Sequence, residues 1–312
     1  PRNDKNAKNL RRKHYKGERV SKHTSESRIA QDMLERYSGS SVKQFCPYLL
    51  LTNFSYYIQT FAKLHGVPVF EGSMFSAAHA PHLKTSILDF KLGSPGAALT
   101  IDLCSFLPDL KAALMLGMCG GLRSHYQVGD YFVPVASIRG EGTSDAYFPP
   151  EVPALANFVV QKATTEVLED KKANYHIGIT HTTNIRFWEF NKKFRKKLYE
   201  TKAQSAEMEC ATLFAAGYRR NLPIGALLLI SDLPLRKEGI KTKSSGNFIF
   251  NTYTEDHILT GQEVIENLEK VMLKRAASDH KKDQQYRGLP HMEVGEADDT
   301  MASGSETSDS DY

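Results

Sequence analysis

Two carboxylates, Glu207 and Glu209, flank Met208 in the stretch SAEMECATL, where an apolar strand is predicted to turn into a helix. If this stretch is extended, both side chains lie on one face, because strand side chains alternate. Two acids on one face repel each other unless they have different partners. We therefore expect one carboxylate to bind donor hydroxyl groups and the other to be compensated locally. The alternative is a first-turn acid stabilised by the helix dipole, which suits either residue alone.

A third carboxylate, Asp232, ends the apolar run ALLLIS in the stretch IGALLLISD. An acid next to a buried strand is partly desolvated, which raises its pKa towards the range useful for general acid catalysis. Asp232 could equally cap a following helix, since aspartate is a common N-cap residue. The sequence leaves both interpretations open.

Other motifs restrict the chemistry. GMCGGL follows an apolar run, but a dinucleotide-binding fold requires GxGxxG and an acid about 20 residues further on, and this pattern is missing. The four cysteines are scattered without metal-ligand spacing, which predicts no metal or cofactor and a cytoplasmic location. His79 and His82, in HAPH, are interpreted as a polar loop. The sequence has no apolar run of the roughly 18 residues that a membrane helix needs.

The elements that must position these residues alternate along the chain. A helix is predicted to begin at Ser25–Ser27, another covers YYIQTFAKLHG, and a third follows Gly93; further helices fit 153–171, 189–202, 208–220 and 255–275. The predicted strands lie in PYLLLTNF, TSILDFKLG, KAALMLGMCGGL, YFVPVASIRGEG, YHIGITHTT and IGALLLISD. This alternation predicts an α/β fold whose largely parallel sheet is covered by helices on both faces.

Ligands of such sheets bind at the carboxyl ends of the strands. Polar residues and glycines gather at those predicted ends: Asn53, Gly93, Gly117–Gly121, Arg139–Ser144, Asn184, Glu207–Glu209 and Asp232. Their convergence predicts a binding site for a small molecule at one edge of the sheet.

The two ends of the chain differ in charge from its body, although the net charge is only +4. Residues 1–24 carry nine Lys and Arg against two acids, and residues 293–312 carry seven acids and no Lys or Arg. Neither end has enough apolar surface to offset its ordering entropy, so both are predicted to be disordered. We expect a basic arm at 1–24, a catalytic domain at 25–275 and an acidic tail at 276–312. The arm is a solubilising extension or contacts nucleic acid or the acidic tail.

The motifs LGMCGGL, GDYFVPVASIRGEGTS, FPPEVPA, EMECATL and ISD occur in this order. Together they resemble the nucleoside phosphorylase and nucleoside hydrolase superfamily, and within it the AMP nucleosidases, particularly their short forms. The resemblance covers about 30–273. It implies a three-layer α/β/α sandwich with a mixed, partly barrel-like sheet. It also implies a homo-oligomer, usually a hexamer, and a reaction that needs no metal or organic cofactor.

The resemblance implies a role for each acid. Glu209 would accept hydrogen bonds from the ribose 2′- and 3′-hydroxyls, Met208 would pack on the sugar, and Glu207 would be structural. A carboxylate suits a vicinal diol because charge-assisted bonds are stronger than neutral ones. Asp232 would protonate N7 of a departing purine. The base would lie against Arg186 or, if the register differs by one, against Phe187 or Trp188.

The nucleophile and the 5′ group follow from the remaining positions. Phosphorolytic relatives bind phosphate where this sequence has Asn53, Tyr57, Met115 and Met118, none of which offers a cationic fork. Water is therefore the expected nucleophile, with Asn53 orienting it. Candidates for a 5′-phosphate are Arg36, Arg139, Thr143, Ser144 and Arg186. An internal ion pair is the alternative for Arg139.

The resemblance thus implies hydrolysis of AMP to adenine and ribose 5-phosphate, and the expected substrate-binding positions include Gly93 and Gly117. The nearest alternative is an enzyme that cleaves unphosphorylated purine nucleosides by hydrolysis or phosphorolysis. A second alternative is a weakly catalytic body whose basic arm binds nucleic acid, with affinity that falls steeply with salt.

Overall fold

The computed structural model describes the backbone of residues 25–286 and the side chains of residues 25–277. The predicted basic arm at 1–24 and residues 287–312 of the predicted acidic tail lie outside the described residues. The unit that carries the sheet ends at Met272, and a second unit begins at Leu273. The domain boundaries at 24/25 and 275/276 stay predictions.

Seven α-helices and ten strands form the described part of the chain. The helices are α1 (Ser25–Ser38), α2 (Ser55–His65), α3 (Ser94–Cys104), α4 (Phe158–Asp170), α5 (Lys192–Glu200), α6 (Cys210–Arg219) and α7 (Lys243–Tyr286). The strands are β1 (Tyr48–Thr52), β2 (Val69–Glu71), β3 (Ser76–Ala80), β4 (Thr85–Asp89), β5 (Ala112–Gly121), β6 (Tyr131–Gly140), β7 (Ala154–Leu155), β8 (Tyr175–Thr183), β9 (Ser205–Glu207) and β10 (Ile224–Asp232).

The strands form one mixed sheet that closes on itself on one side. Its order is β10-β6-β8-β9-β5-β1-β4-β3-β2, and β10 also pairs with β5, so that five strands complete a ring. Among the described strands, β1, β4, β5 and β10 run parallel to their neighbours in this group. Antiparallel pairs join β5 to β9 and β10 to β6. The predicted mixed, partly barrel-like sheet is confirmed.

Helices cover the sheet on two faces, as the α/β/α prediction requires. One apolar core contains Leu34 of α1, Ile101 of α3 and Phe214 of α6, together with sheet residues such as Leu51. A second, separate core contains residues of α2, α4 and α7 against the opposite sheet face: Ile58, Phe61, Val160, Ile258 and Val264. The three layers arise because the sheet strands are apolar on both faces.

Several details differ from the sequence-based elements, and one is that β7 (Ala154–Leu155) lies where a helix was predicted over 153–171. The helix predicted over 255–275 is longer at both ends and runs from Lys243 to Tyr286, so 276–286 are helical. The β2–β3 hairpin was not predicted, because SAAHA has few residues that favour strands. The polar-loop interpretation of His79 is wrong, since His79 lies in β3 and is 6% exposed. Its Nδ1 is hydrogen-bonded to Ser86 Oγ at 2.8 Å.

No helix in the described part of the chain is long and apolar enough to cross a membrane. Within the same residues, no group of three or more His, Cys, Asp or Glu side chains is arranged to hold a metal ion.

Candidate functional site

Three separate segments of the chain donate hydrogen bonds to the Glu209 carboxylate. Its Oε1 accepts hydrogen bonds from the Gly93 backbone N–H at 2.8 Å and from Asn53 Nδ2 at 3.1 Å. Its Oε2 accepts one bond, from the Met208 backbone N–H at 3.2 Å. Ser94 Oγ donates to the Met208 carbonyl at 2.7 Å, which fixes the same junction again. The ends of β1 and β9 and the start of α3 therefore meet at this one carboxylate.

Gly93 is a glycine for a reason that the backbone shows. Its φ is 95°, a left-handed conformation that side chains other than hydrogen disfavour. This conformation precedes α3 and aims the Gly93 N–H at Glu209 Oε1. Asn53 adds an unpartnered group: once its Nδ2 is bonded to Glu209, its buried Oδ1 has no hydrogen-bond partner among the described residues.

Glu207 is compensated locally, as expected for one of the two acids. Its Oε2 accepts the backbone N–H groups of Glu209 and Cys210, both at 2.7 Å, at the start of α6. The Thr182 hydroxyl donates to Glu207 Oε1. That hydroxyl also accepts the Ala211 N–H at 2.9 Å. Glu207 is therefore the acid held by the N-terminus of a helix. Glu209 is not placed by strand alternation, because the chain leaves β9 after Glu207.

Burial raises the pKa of both acids. The pKa of Glu209 rises to about 8 because the carboxyl is removed from water and because the charge of Glu207 lies close by. The pKa of Glu207 is raised by burial, and its hydrogen bonds from Thr182 and the α6 backbone oppose that rise. Two carboxylates in one enclosed site cannot both ionise easily.

Asp232 ends β10 and is partly buried. Ser231 Oγ donates to its Oδ1 at 2.7 Å. Burial raises the pKa of Asp232, and the charge of Lys241 opposes this rise. No helix begins directly after Asp232, since the next helix starts at Lys243, so the N-cap interpretation is wrong.

Asp232 and the Glu207–Glu209 stretch approach the same end of β5. Asp232 pairs with Gly120 across β10 and β5, and Gly120 pairs with Ala206 of β9 on the other side. The buried thiol of Cys119 experiences the charges of both Asp232 and Glu207, which raise its pKa further after the effect of burial. The acids therefore flank one strand end.

Lys241 joins this cluster and was missed by sequence reasoning. Its Nζ donates to Met118 Sδ at 3.6 Å, and its charge interacts with Asp232. The segment LRKEGIKTK contains several basic residues in a loop, and nothing in their spacing distinguishes Lys241 from the others. Only the fold of the loop after β10 shows which lysine turns inwards.

The segment IRFWEF resolves into residues with different surroundings. Trp188 is 6% exposed and packs with Leu122 and Leu198 in a small core, so it is not a base-stacking residue in this structure. Phe187 is 75% exposed. Arg186 forms an ion pair with Glu189 at 2.9 Å, and its charge affects the pKa of Asp232. Arg186 and Phe187 remain the residues of this segment that could face a base.

The guanidinium donors of Arg139 are bonded to groups within the protein, as the alternative interpretation of an internal ion pair predicts. Its donors bind Ser144 Oγ, Asp145 Oδ1 and the carbonyls of Phe148, Pro149 and Val152, at 2.6–2.9 Å. All five N–H donors of a guanidinium are thereby occupied. The predicted binding of a 5′-phosphate by Arg139 and by the Ser144 hydroxyl, which Arg139 already uses, is not supported by these contacts.

The other predicted site residues divide into surface and core positions. Thr143 is partly buried at the start of a short 3₁₀ turn, and Arg36 is exposed on α1, where it donates to Tyr37 Oη at 3.0 Å. Gly117 is a packing position, since an added Cβ would lie 2.8 Å from Met115 Cε. The Asn184 amide donates to the Glu141 carbonyl at 3.2 Å. None of these four residues bonds to Glu209 or Asp232 within the described residues.

This α/β sandwich, with a partly closed sheet and paired acids at its strand ends, can now be compared with known proteins. A model of the family described as the Phosphorylase superfamily matches residues 51–276. A crystal structure of AMP nucleosidase from Bacteroides thetaiotaomicron is similar with a TM-score of 0.69 and 35% identity, covering 79% of this chain and 98% of that one. The chain belongs to the Phosphorylase superfamily.

Curated relatives include AMP nucleosidase of Escherichia coli K12, which is 28% identical over 279 residues. That match covers 75% of this chain and 57% of the relative, so the chain spans little more than half of the relative's length. Uridine phosphorylase of Thermococcus kodakarensis is 27% identical over 157 residues, covering 46% of this chain and 56% of the relative. A uridine phosphorylase structure from Vibrio fischeri shares the fold at 19% identity and a TM-score of 0.66.

Replacing Arg139 tests its structural role. Arg139→Met leaves three carbonyls and Ser144 Oγ without their donor, so we expect the free energy of unfolding to fall by about 2–4 kcal/mol. Urea unfolding followed by circular dichroism measures this. Arg36→Met is the control, because an exposed arginine should change stability by less than about 0.5 kcal/mol. A variant at 139 with unchanged stability and a raised KM for AMP would instead indicate phosphate binding.

The raised pKa of Glu209 predicts a pH dependence of stability. Between the ordinary value of 4.5 and about 8, the folded protein holds a proton on Glu209 that the unfolded chain has lost. Stability therefore falls as pH rises through this window. Glu209→Gln removes that contribution, so the variant should exceed wild type in unfolding free energy by about 1 kcal/mol or more at pH 8.5 but not at pH 4.5.

Urea unfolding at a series of pH values measures the effect. Glu266→Gln is the matched control, because Glu266 is exposed on α7, and its profile should follow that of wild type. Parallel profiles for Glu209→Gln and wild type would show that Glu209 ionises normally.

Proposed function

We propose that the protein hydrolyses the N-glycosidic bond of AMP, giving adenine and ribose 5-phosphate. The observation that carries this proposal is the Glu209 carboxylate, which is buried and positioned by Asn53, Gly93 and Met208. The similarity to two AMP nucleosidases supports the choice of substrate.

Glu209 is suited to a ribose diol because one of its oxygens has spare capacity. Oε1 already accepts two hydrogen bonds, whereas Oε2 accepts one. A ribose hydroxyl would donate to Oε2, and a second hydroxyl would share the remaining lone pairs. These charge-assisted bonds favour the ionised form of Glu209 and would lower its raised pKa when substrate binds. The partly buried Met208 side chain would pack on the sugar face.

Asp232 is proposed as the general acid. When the bond between C1′ and N9 breaks, its electron pair moves into the purine, and the proton of Asp232 passes to N7. Water forms the new bond to C1′ and releases a proton, which restores Asp232. Burial raises the pKa of Asp232, which shifts this carboxyl towards the protonated form that a general acid requires. Stabilising the developing base lowers the barrier of the bond-breaking step.

Water is proposed as the nucleophile, and Asn53 is proposed to orient it. The Oδ1 of Asn53 is a buried acceptor without a partner in the described structure, next to the proposed diol site. Tyr57 and Met115, which replace phosphate-binding residues of phosphorolytic relatives, are core residues with no exposed polar group. None of the side chains at the four phosphate positions is therefore a cation, although the Lys241 ammonium lies 3.6 Å from Met118 Sδ.

The base and the 5′ group have fewer candidates than the sequence suggested. Arg186 and Phe187 are proposed to contact the adenine. Arg36, Thr143 and Arg186 remain for the 5′-phosphate, since Arg139 is occupied. We also propose a cytoplasmic homo-oligomer, for which the family's usual hexamer is the expectation.

Product analysis tests the proposal directly. The full chain is incubated with AMP, adenosine or methylthioadenosine, with and without inorganic phosphate, and the products are separated by chromatography. We expect adenine and ribose 5-phosphate from AMP at a rate that phosphate does not raise. Cleavage that requires phosphate and yields a sugar 1-phosphate would indicate a phosphorylase. Intact AMP, together with salt-sensitive RNA binding that is lost without residues 1–24, would support the nucleic-acid alternative.

The role of Asp232 has its own test. Asp232→Asn keeps the shape of the side chain but has no acidic proton, so kcat on AMP should fall by about 100-fold or more while KM changes little. Steady-state kinetics measure both values. Asp109→Asn, an exposed position before β5, is the control and should retain wild-type activity. Full activity of Asp232→Asn would contradict the assignment.

A further inference from the structure

Lys241 belongs to the Asp232 cluster, and the proposed mechanism assigns it no role. It lies in the loop between β10 and α7, and its side chain is partly buried. The side-chain hydrogen bond described for it goes to Met118 Sδ at 3.6 Å. A thioether is a weak acceptor, and an ammonium group has three donors. Within the described residues, Lys241 forms no ion pair with a carboxylate, so its charge is compensated only from a distance.

Besides Lys241, the groups around Asp232 lie on two other elements and on β10 itself. From the turn after β8, Arg186 and Glu189 face it, but they neutralise each other through an ion pair at 2.9 Å. From β5, Cys119 contributes a thiol that burial keeps neutral. From β10 itself, Ser231 donates a hydrogen bond to Oδ1 at 2.7 Å. Lys241 is therefore the charged group around this carboxyl that forms no ion pair among the described residues, and its contact Met118 lies two residues before Gly120, which pairs with Asp232.

We propose that Lys241 is a positioning residue that acts through Asp232, its ammonium stabilising the carboxylate that Asp232 becomes when it has given its proton to the departing base. This inference rests on the proposed function, because it assigns Asp232 the role of acid. The loop after β10 thereby supplies a positive charge near the glycine-rich end of β5, where the Met118 side chain is apolar.

The reason is electrostatic. Burial disfavours the carboxylate form of Asp232, so transfer of its proton to the base costs more free energy. A nearby ammonium offsets that cost, and its effect is larger where water is partly excluded. The proton moves from Asp232 to N7, while Lys241 keeps its own proton throughout. The two groups compensate each other: burial raises the pKa of Asp232 and the charge of Lys241 opposes this rise, while burial lowers the pKa of Lys241 and the charge of Asp232 opposes this fall.

Three variants of the full chain test the proposal. Lys241→Met removes the charge and keeps a side chain of similar length, Lys241→Arg keeps the charge, and Lys237→Met removes an exposed lysine of the same loop as the control. Steady-state kinetics on AMP are measured across pH. For Lys241→Met we expect kcat to fall by about 10-fold or more with KM nearly unchanged, and the alkaline limb of kcat to move up by about one pH unit. Lys241→Arg should restore most of the loss.

A measurement without turnover separates this inference from the proposed function. The side-chain carboxyl carbons of aspartate are labelled with ¹³C, and Asp232→Asn identifies the Asp232 signal. Its titration midpoint should lie about one pH unit higher in Lys241→Met than in wild type or Lys237→Met. An unshifted midpoint would overturn the inference even if AMP is cleaved. A shifted midpoint would support it even if the wild-type protein leaves AMP intact. A rise in KM alone in Lys241→Met would also overturn it, because Lys241 would then bind substrate directly.

Discussion

The site depends on keeping two carboxylates, Glu207 and Glu209, out of water within two residues of each other. A buried carboxylate is costly unless several donors compensate it, and a second one nearby adds repulsion. The chain meets this constraint with donors from the end of β1, the start of α3, the strand β8 and the N-terminus of α6. Elements far apart in sequence must therefore meet at one junction, and the sheet order brings them there.

The two acids receive their hydrogen bonds from different donors. We relate this difference to a structural role for Glu207 and a ligand-binding role for Glu209. Each acid accepts three hydrogen bonds, but those of Glu207 come from the α6 backbone and Thr182, whereas Glu209 is bonded by Asn53, whose buried Oδ1 has no partner among the described residues. Glu209 has one oxygen with a single donor. The substrate can then act as the missing donor, because sugar hydroxyls would donate the hydrogen bonds to Glu209 that the protein does not. A site that is incompletely satisfied when empty favours the ligand that completes it.

Much of this arrangement follows from the sequence, but not the parts that depend on loops. The strands, most helices, and the local compensation of one of the two acids follow from apolar patterns and charge repulsion. Arg139 and Trp188 were both possible ligand contacts, and only the folded chain shows that one is a hub for carbonyls and the other a core residue. Lys241 could not be identified from the sequence, because residue spacing does not show which side chains of a loop point inwards. The hairpin strand with His79 was missed because an alanine-rich strand resembles a loop.

The choice between water and phosphate as nucleophile has a structural basis that reaches beyond the site. Tyr57 Oη is hydrogen-bonded to His257 Nδ1 at 2.8 Å, and His257 Nε2 lies 3.0 Å from the Leu227 carbonyl. These hydrogen bonds connect α2 to α7 and β10 within the second apolar core. A cation at position 57 could not enter that core without losing these bonds. Tyr57, at one of the phosphate positions, is thus committed to holding helices on the sheet, whereas a water molecule needs only the free Oδ1 of Asn53.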